Sequence, residues 1–135
     1  MAKRLRFTID GVEYHAVLQN HALSESLSAM CPFTADCTRS GGSPAGDGSP
    51  AGGGHEYYTA LPKKAAAKGC PSTTQGKKNG LYYFEGWNAL SLVFRDCDTA
   101  PYQIHHIGDF EDDVSAALEK MGGRISILCE LEEGG

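Results

Sequence analysis

Five histidines and five cysteines are the side chains here best suited to hold a metal or attack a substrate, and their spacing argues against most of that chemistry. His105 and His106 are adjacent, and on a strand adjacent side chains point to opposite faces, so they cannot share one ion. There is no His-x-His pair and no H-E-x-x-H helix, and His15 falls on the outer side of an N-terminal hairpin. No metal site and no cofactor is predicted. The cysteines, Cys31, Cys37, Cys70, Cys97 and Cys129, contain no C-x-x-C. An odd count with no export signal reads as free thiols in a reducing compartment. The nearest two in sequence, Cys31 and Cys37, flank Pro32 and read as small buried or loop residues, with an oxidation-sensitive thiol as the alternative. No G-x-S-x-G elbow occurs, and nothing pairs a nucleophile with a base, so no catalytic residue is assigned. Glu111, Asp112 and Asp113 are consecutive and would diverge on a helix; they suit the positive end of a helix dipole better than paired acid–base work.

A binding surface is the stronger reading. Tyr82-Tyr83-Phe84-Glu85-Gly86-Trp87-Asn88 concentrates aromatic rings around a turn and includes the single tryptophan. Rings with polar tips suit a place that is packed on one side and wet on the other. The candidate ligand-binding residues are Trp87, Asn88 and Tyr83, joined by Tyr57 and Tyr58 from a neighbouring strand. Arg95 or His106 adds charge if its strand faces the same opening. In the competing reading Trp87 merely covers a barrel end and fixes the turn.

The elements that must position these residues are mostly strands. Leu5, Phe7 and Ile9 alternate with Arg4, Arg6 and Thr8; Asp10-Gly11 then reverses the chain, and Val12, Tyr14, Ala16 and Leu18 resume the alternation, a β-hairpin over 3–19. Asn20 caps a predicted helix to about Met30, with Leu23, Leu27 and Met30 as its stripe and Pro32 as its stop. A short strand is expected over Pro32–Cys37, and further strands over His55–Leu61, Gly80–Phe84, Ala89–Arg95 and Pro101–Ile107. Lys63–Asn79 has no period and reads as a long loop of the kind that walls a site, with room for one helical turn at Lys63–Lys68. Asp96–Ala100 reads as a polar turn. Asp109 caps a second helix with Phe110, Val114, Ala117, Leu118 and Met121 as its buried stripe, ended by Gly122-Gly123. Ile125, Ile127, Cys129 and Leu131 make the last strand. Many short strands without regular helical crossovers predict a mostly β fold, a closed antiparallel barrel with two short helices at its ends.

The chain length suits a single domain over 1–135. At about 38–54 it carries a Gly/Ser/Pro/Ala insertion in which Ser-Pro-Ala-Gly occurs twice, read as a flexible loop because it has no large apolar side chain to offset its ordering entropy. These glycines lack the G-K-[ST] of a phosphate loop. Twelve basic against seventeen acidic side chains argue against a nucleic-acid partner. No run approaches the roughly 20 apolar residues of a spanning helix, so no membrane association is expected. The N-terminus alternates instead of building an apolar core, which points to a cytoplasmic location.

The order Arg6–Tyr14 (RFTIDGVEY), Tyr57–Pro62 (YYTALP), Gly80–Phe94 (GLYYFEGWNALSLVF) and Ala100–Gly108 (APYQIHHIG) resembles the small prokaryotic cyclophilin-like proteins. Gly86-Trp87-Asn88-Ala89-Leu90 is the most specific part. The resemblance spans about residues 3–131 apart from the insertion, and implies a cyclophilin-type β-barrel. Such domains also occur beside flavodoxin-like proteins, which leaves a flavodoxin-like partner as an expectation of the resemblance alone. Prolyl-isomerising cyclophilins carry an arginine in a strand motif like F-H-R-x-I, followed by F-x-Q-G-G-D, and neither motif is present. Arg95, in Phe94-Arg95-Asp96-Cys97, reads as the only arginine of the central strands and does not match. The expected function is non-catalytic binding of a small molecule, peptide or partner. The alternatives are a weak prolyl isomerase or another enzyme with an unlocated pocket.

Overall fold

The computed structural model describes residues 3–40 and 54–132. Within them the chain runs β1 (Arg4–Ile9), β2 (Val12–Leu18), α1 (Ala22–Met30), β3 (Phe33–Arg39), β4 (Glu56–Ala60), β5 (Gln75–Gly76), β6 (Gly80–Phe84), β7 (Ala89–Val93), β8 (Cys97–Asp98), β9 (His105–Phe110), α2 (Val114–Glu119) and β10 (Arg124–Glu132). Eight of the strands close an antiparallel barrel in the order β1-β10-β3-β4-β7-β6-β9-β2, and β5 and β8 form a separate two-stranded ribbon. The expected fold class is the observed one.

The first hairpin turns on Asp10 and Gly11, both at positive φ (52° and 78°), the combination a two-residue turn needs to match strand twist. Along β1, Leu5, Phe7 and Ile9 are fully buried while Arg4, Arg6 and Thr8 face outward. On β2 the inward set fades toward the turn: Ala16 and Leu18 are buried, Tyr14 is half-buried and Val12 is exposed. One core takes in Phe7, Leu92, Phe94, Leu118 and Ile127, with Tyr14 packed against it. Each helix closes one mouth. α1 connects the ends of β2 and β3 and buries Leu23 and Leu27; α2 connects β9 to β10 at the opposite mouth and buries Val114 and Leu118.

Several boundaries differ from the sequence expectation. His21, not Asn20, is the N-cap residue of α1, and its side chain makes no capping bond; the Ser24 hydroxyl bonds the Gln19 carbonyl instead. β9 begins at His105, because residues 99–102 make a tight turn containing the cis Ala100–Pro101 peptide. It extends through Phe110, whose backbone pairs with Ala16 on β2, so barrel closure claims residues assigned by sequence to the second helix. Gly108 suits this closure, since a Cβ there would stand 2.4 Å from the Val17 carbonyl oxygen. α2 therefore starts at Val114, with Asp113 rather than Asp109 as its cap. Glu111 pairs with Arg4, and Asp112 accepts from the His15 amide at 2.8 Å. β5 and β8 are two residues each, too short to show a period inside Lys63–Asn79 and Asp96–Ala100, and residues 63–68 form no helical turn. β3 runs on to Arg39, past the expected end at Cys37 and into the start assigned to the insertion; the rest of that insertion, residues 41–53, lies outside the described residues.

That extension places an arginine inside the barrel. Arg39 is 6% exposed and faces Tyr57 across the β3–β4 pair. Its guanidinium lies 4.5 Å from the Phe94 ring centre, and Nη1 donates to the Tyr57 hydroxyl at 3.0 Å and to the carbonyls of Leu118 and Met121 at 3.1 Å. The Tyr57 hydroxyl donates in turn to the Gly122 carbonyl. The Leu118 carbonyl also accepts the Met121 amide at 3.1 Å, and the cation and phenol add bonds to carbonyls at and just past the negative end of α2, which ties the helix over its mouth.

Leu92 is fully buried, between Tyr57 on β4 and Leu81 on β6. Leu92→Ala is expected to cost about 2–5 kcal/mol through lost burial and the cavity left behind, measured by urea denaturation. A change under about 0.5 kcal/mol would place Leu92 outside the core.

Candidate functional site

A cavity of about 500 Å³ lies on the outer face of the barrel, not inside it. On the adjacent strands β4, β7 and β6, alternation sends Tyr57, Leu90, Leu92, Leu81 and Tyr83 inward. It sends Glu56 and Tyr58, Ala89 and Ser91, and Phe84 outward to line the cavity. The middle strand, β7, contributes only Ala89 and Ser91, while its neighbours contribute rings. Small residues between large ones make a trough.

A second layer forms the far wall. β5 pairs with β8, Thr73 bridges Ile104, and Tyr82, Val93 and Ile104 make a small core of their own against the outer face. The Tyr102 amide donates to the Thr99 carbonyl at 2.9 Å, and the Thr99 hydroxyl to the Tyr102 carbonyl at 2.6 Å, a turn that thrusts the Tyr102 ring over the trough. The rings form a chain: Tyr58 to Trp87 at 6.0 Å, Trp87 edge-on to Phe84 at 5.4 Å, and Phe84 edge-on to Tyr102 at 5.9 Å between centres. Trp87 is 67% and Tyr102 62% exposed, the two most exposed large apolar side chains described.

The polar end of the groove is His55, Glu56 and Ser91. Burial alone would push the Glu56 carboxyl up, but hydrogen bonds from His55 and Ser91 and the imidazole's charge outweigh it and hold the group below the ordinary glutamate range. His55 Nε2 stands 3.2 Å from Glu56 Oε2. The carboxylate thus sits between hydroxyl and imidazole. Nucleophilic catalysis needs the imidazole in that middle place to take the hydroxyl's proton, so this trio anchors a negative charge and does not activate Ser91.

The five sequence candidates separate into two groups. Tyr58 and Trp87 line the groove. Tyr57 and Tyr83 are fully buried inside the barrel, Tyr57 bonded to Arg39 and Tyr83 to Asn88, because each neighbours in sequence a residue of opposite facing. Asn88 supports the turn beneath Trp87. It sits at φ 49°, a left-handed conformation Asn tolerates. Its Oδ1 accepts from the Tyr83 hydroxyl at 2.6 Å and the Ala65 amide at 3.1 Å, and its Nδ2 donates to the Lys63 carbonyl at 2.8 Å. Phe84, from the same aromatic segment as Trp87, lines the groove with Tyr102, Glu56 and His55. Period-two alternation from Tyr58 is the sequence signal for Glu56; Tyr102 is marked by its type alone, an aromatic ring with a polar tip, because a turn and not a strand delivers it.

Charged neighbours go elsewhere. Arg95 lies past the end of β7 and pairs with Glu119 at 2.5 Å, and Arg39, not Arg95, is the arginine within a central strand. His106 lies between Gln19 at 2.9 Å and Asp109 at 3.0 Å, and His105 bonds the Pro71 carbonyl. The Lys63–Asn79 segment contributes no residue to the lining, although it anchors Asn88. Among the described residues no group of three or more His, Cys, Asp or Glu side chains could hold a metal ion, and no helix is long and apolar enough to cross a membrane.

An eight-stranded antiparallel barrel with a short helix in each mouth is a cyclophilin-type fold. The chain belongs to the cyclophilin-like family, whose sequence profile matches residues 7–130. The solution structure of the hypothetical protein AF2241 from Archaeoglobus fulgidus is similar, with a TM-score of 0.69 at 14% identity over 97% of this chain and 95% of that one, a likeness of fold alone. No curated protein matches the sequence.

Two measurements follow from this geometry. Asn88→Ala removes three hydrogen bonds and places alanine at positive φ, and is expected to cost roughly 1–3 kcal/mol in denaturation. An unchanged midpoint would show the turn to be held by other means. For Glu56, a carboxyl held low in the folded state stabilises the protein above its unfolded pKa, and this contribution is lost as pH falls through the lower folded value. The wild type is therefore expected to lose more stability on acidification below the ordinary glutamate range than Glu56→Gln does, measured as melting temperature against pH; parallel profiles would overturn the assignment.

Proposed function

We propose that this domain binds a small molecule or a short peptide segment in the outer groove and does not transform it. The observation that carries the reading is the chain of four rings around a floor of Ala89 and Ser91, with Trp87 and Tyr102 left open to solvent. Exposed rings held by a braced turn keep apolar area ready for stacking at little further ordering cost. Among the described residues Glu56 is the only carboxylate in the lining and no lysine or arginine joins it, so the groove favours a ligand with an apolar body and a neutral or cationic end. Among the described residues no arginine lines the groove to polarise a peptide bond, which supports binding over prolyl isomerisation.

The test uses the single tryptophan as reporter. Blocked tetrapeptides carrying proline or an aromatic residue, each made with a lysine or a glutamate end, are titrated while Trp87 emission is followed. A saturable shift is expected, stronger for the lysine series. Trp87→Ala and Tyr102→Ala, followed by calorimetry, are expected to weaken binding at least about tenfold with little change in melting temperature. A proline-peptide assay run alongside is expected to show the uncatalysed rate. If Trp87→Ala unfolds the domain and no peptide shifts the wild-type emission, the ring cluster is only a cover for the barrel wall.

A further inference from the structure

At the mouth closed by α1, two thiols 98 positions apart in sequence come together: Cys31 Sγ lies 3.6 Å from Cys129 Sγ. The register explains the meeting. Cys129 pairs across the sheet with Phe33, and Cys31 stands two residues before Phe33, so it reaches the same rung diagonally as the chain leaves α1. Their surroundings differ. Cys129 is fully buried on the inward face of β10, whereas Cys31 is partly exposed just beyond the last residue of α1. The Cys31 thiol also lies 3.5 Å from the Leu27 carbonyl and donates to it, which leaves Cys129 to donate to the Cys31 sulfur.

We propose that Cys31 and Cys129 are a peroxide-reactive dithiol that closes to a disulfide linking the end of α1 to β10. The chemistry balances in two steps. Cys31, having lost its proton to water, attacks one oxygen of a hydroperoxide; the S–O bond forms, the O–O bond breaks, and the departing alkoxide or hydroxide takes up a proton. Cys129 then attacks the sulfur of the Cys31 sulfenic acid; the S–S bond forms, the S–O bond breaks, and the hydroxyl leaves with the Cys129 proton as water. Two thiols and one hydroperoxide give a disulfide, an alcohol or water, and water. The sulfurs must approach from 3.6 Å to about 2 Å, a movement open to a side chain at a helix end with one side in solvent.

The electrostatics fit this order of events. The hydrogen bond from Cys129 favours the Cys31 thiolate and lowers its pKa against the effect of burial, while the same contact, with burial, holds Cys129 protonated. Elsewhere burial works against reactivity: it pushes the Cys37 thiol up to about 12 and raises that of Cys97.

The test treats the folded full chain with a small excess of hydrogen peroxide, blocks remaining thiols with iodoacetamide, and maps peptides by mass. The titratable thiols are expected to fall from five to three, with Cys31 and Cys129 linked and both recovered by dithiothreitol. The oxidised chain should melt higher than the reduced one, since the bond closes a long loop. Cys129→Ser is expected to stop at a Cys31 sulfenic acid captured by dimedone, and Cys31→Ser to lose the rapid reaction. Because Cys129 is buried and its variant can unfold, the wild-type map decides. Oxidation first at Cys70 or Cys97, or a disulfide joining any other pair, overturns the proposal.

Discussion

Pairing of β1 with β10 joins the two ends of the described chain and closes the sheet on itself, and most other features of the molecule depend on that closure. An open sheet has edges and can slip in register; a closed barrel has neither freedom, because moving one strand by one residue would turn its whole inward set to solvent. With six residues of β1 matched in turn against β2 and β10, the facing of the side chains on these three strands is settled. The core, the two plugging helices and the groove are consequences of which side chain each strand sends inward and which it sends outward.

The groove shows this most directly. The interior of this barrel is filled by side chains, and the cavity lies on its outside wall. Here a middle strand that is bulky within (Leu90, Leu92) and small without (Ala89, Ser91) lies between two strands bearing outward rings. The β5–β8 ribbon and the Thr99–Tyr102 turn then raise a second wall. The same alternation that packs Tyr57 against Arg39 turns Tyr58 toward Trp87, so core and groove share one strand and differ by one residue.

Much of this was legible in the sequence, and the illegible parts share a physical cause. The Asp10-Gly11 hairpin, Gly80–Phe84 and the last strand announce themselves through local alternation and turn chemistry. What failed depended on partners distant in sequence. Phe110 has the spacing of a helix residue beside Val114, but closure against Ala16 makes it a strand residue. Arg39 reads in sequence as the beginning of a polar loop; carbonyls at and just past the end of α2 and two aromatic rings give its buried guanidinium a place. At the site, Trp87 and Tyr58 were identifiable by type and turn, yet Tyr57 and Tyr83 were grouped with them because the sequence does not mark which phase of an all-aromatic pair faces in. The Cys31–Cys129 contact had no local signal at all, since its partners are joined by register across β3 and β10.

Trp87 and Asn88 divide one task between them. An exposed indole on a mobile loop would lose conformational entropy on binding, about 0.5–1.5 kcal/mol for an immobilised side chain alone, with loop ordering added to it. Here the backbone under the ring is fixed beforehand. Asn88 takes the left-handed conformation that ends the turn, and its amide spans three anchors: the Tyr83 hydroxyl from the barrel interior and the backbone of Lys63 and Ala65 from the neighbouring loop. The buried tyrosine thus reaches the groove indirectly, through the amide that holds the turn. Trp87 presents area to solvent and carries none of these hydrogen bonds, whereas Asn88 carries three of them and presents none of the ring. Exposure and support are separated at adjacent positions because one residue faces solvent and the other faces the network that positions it.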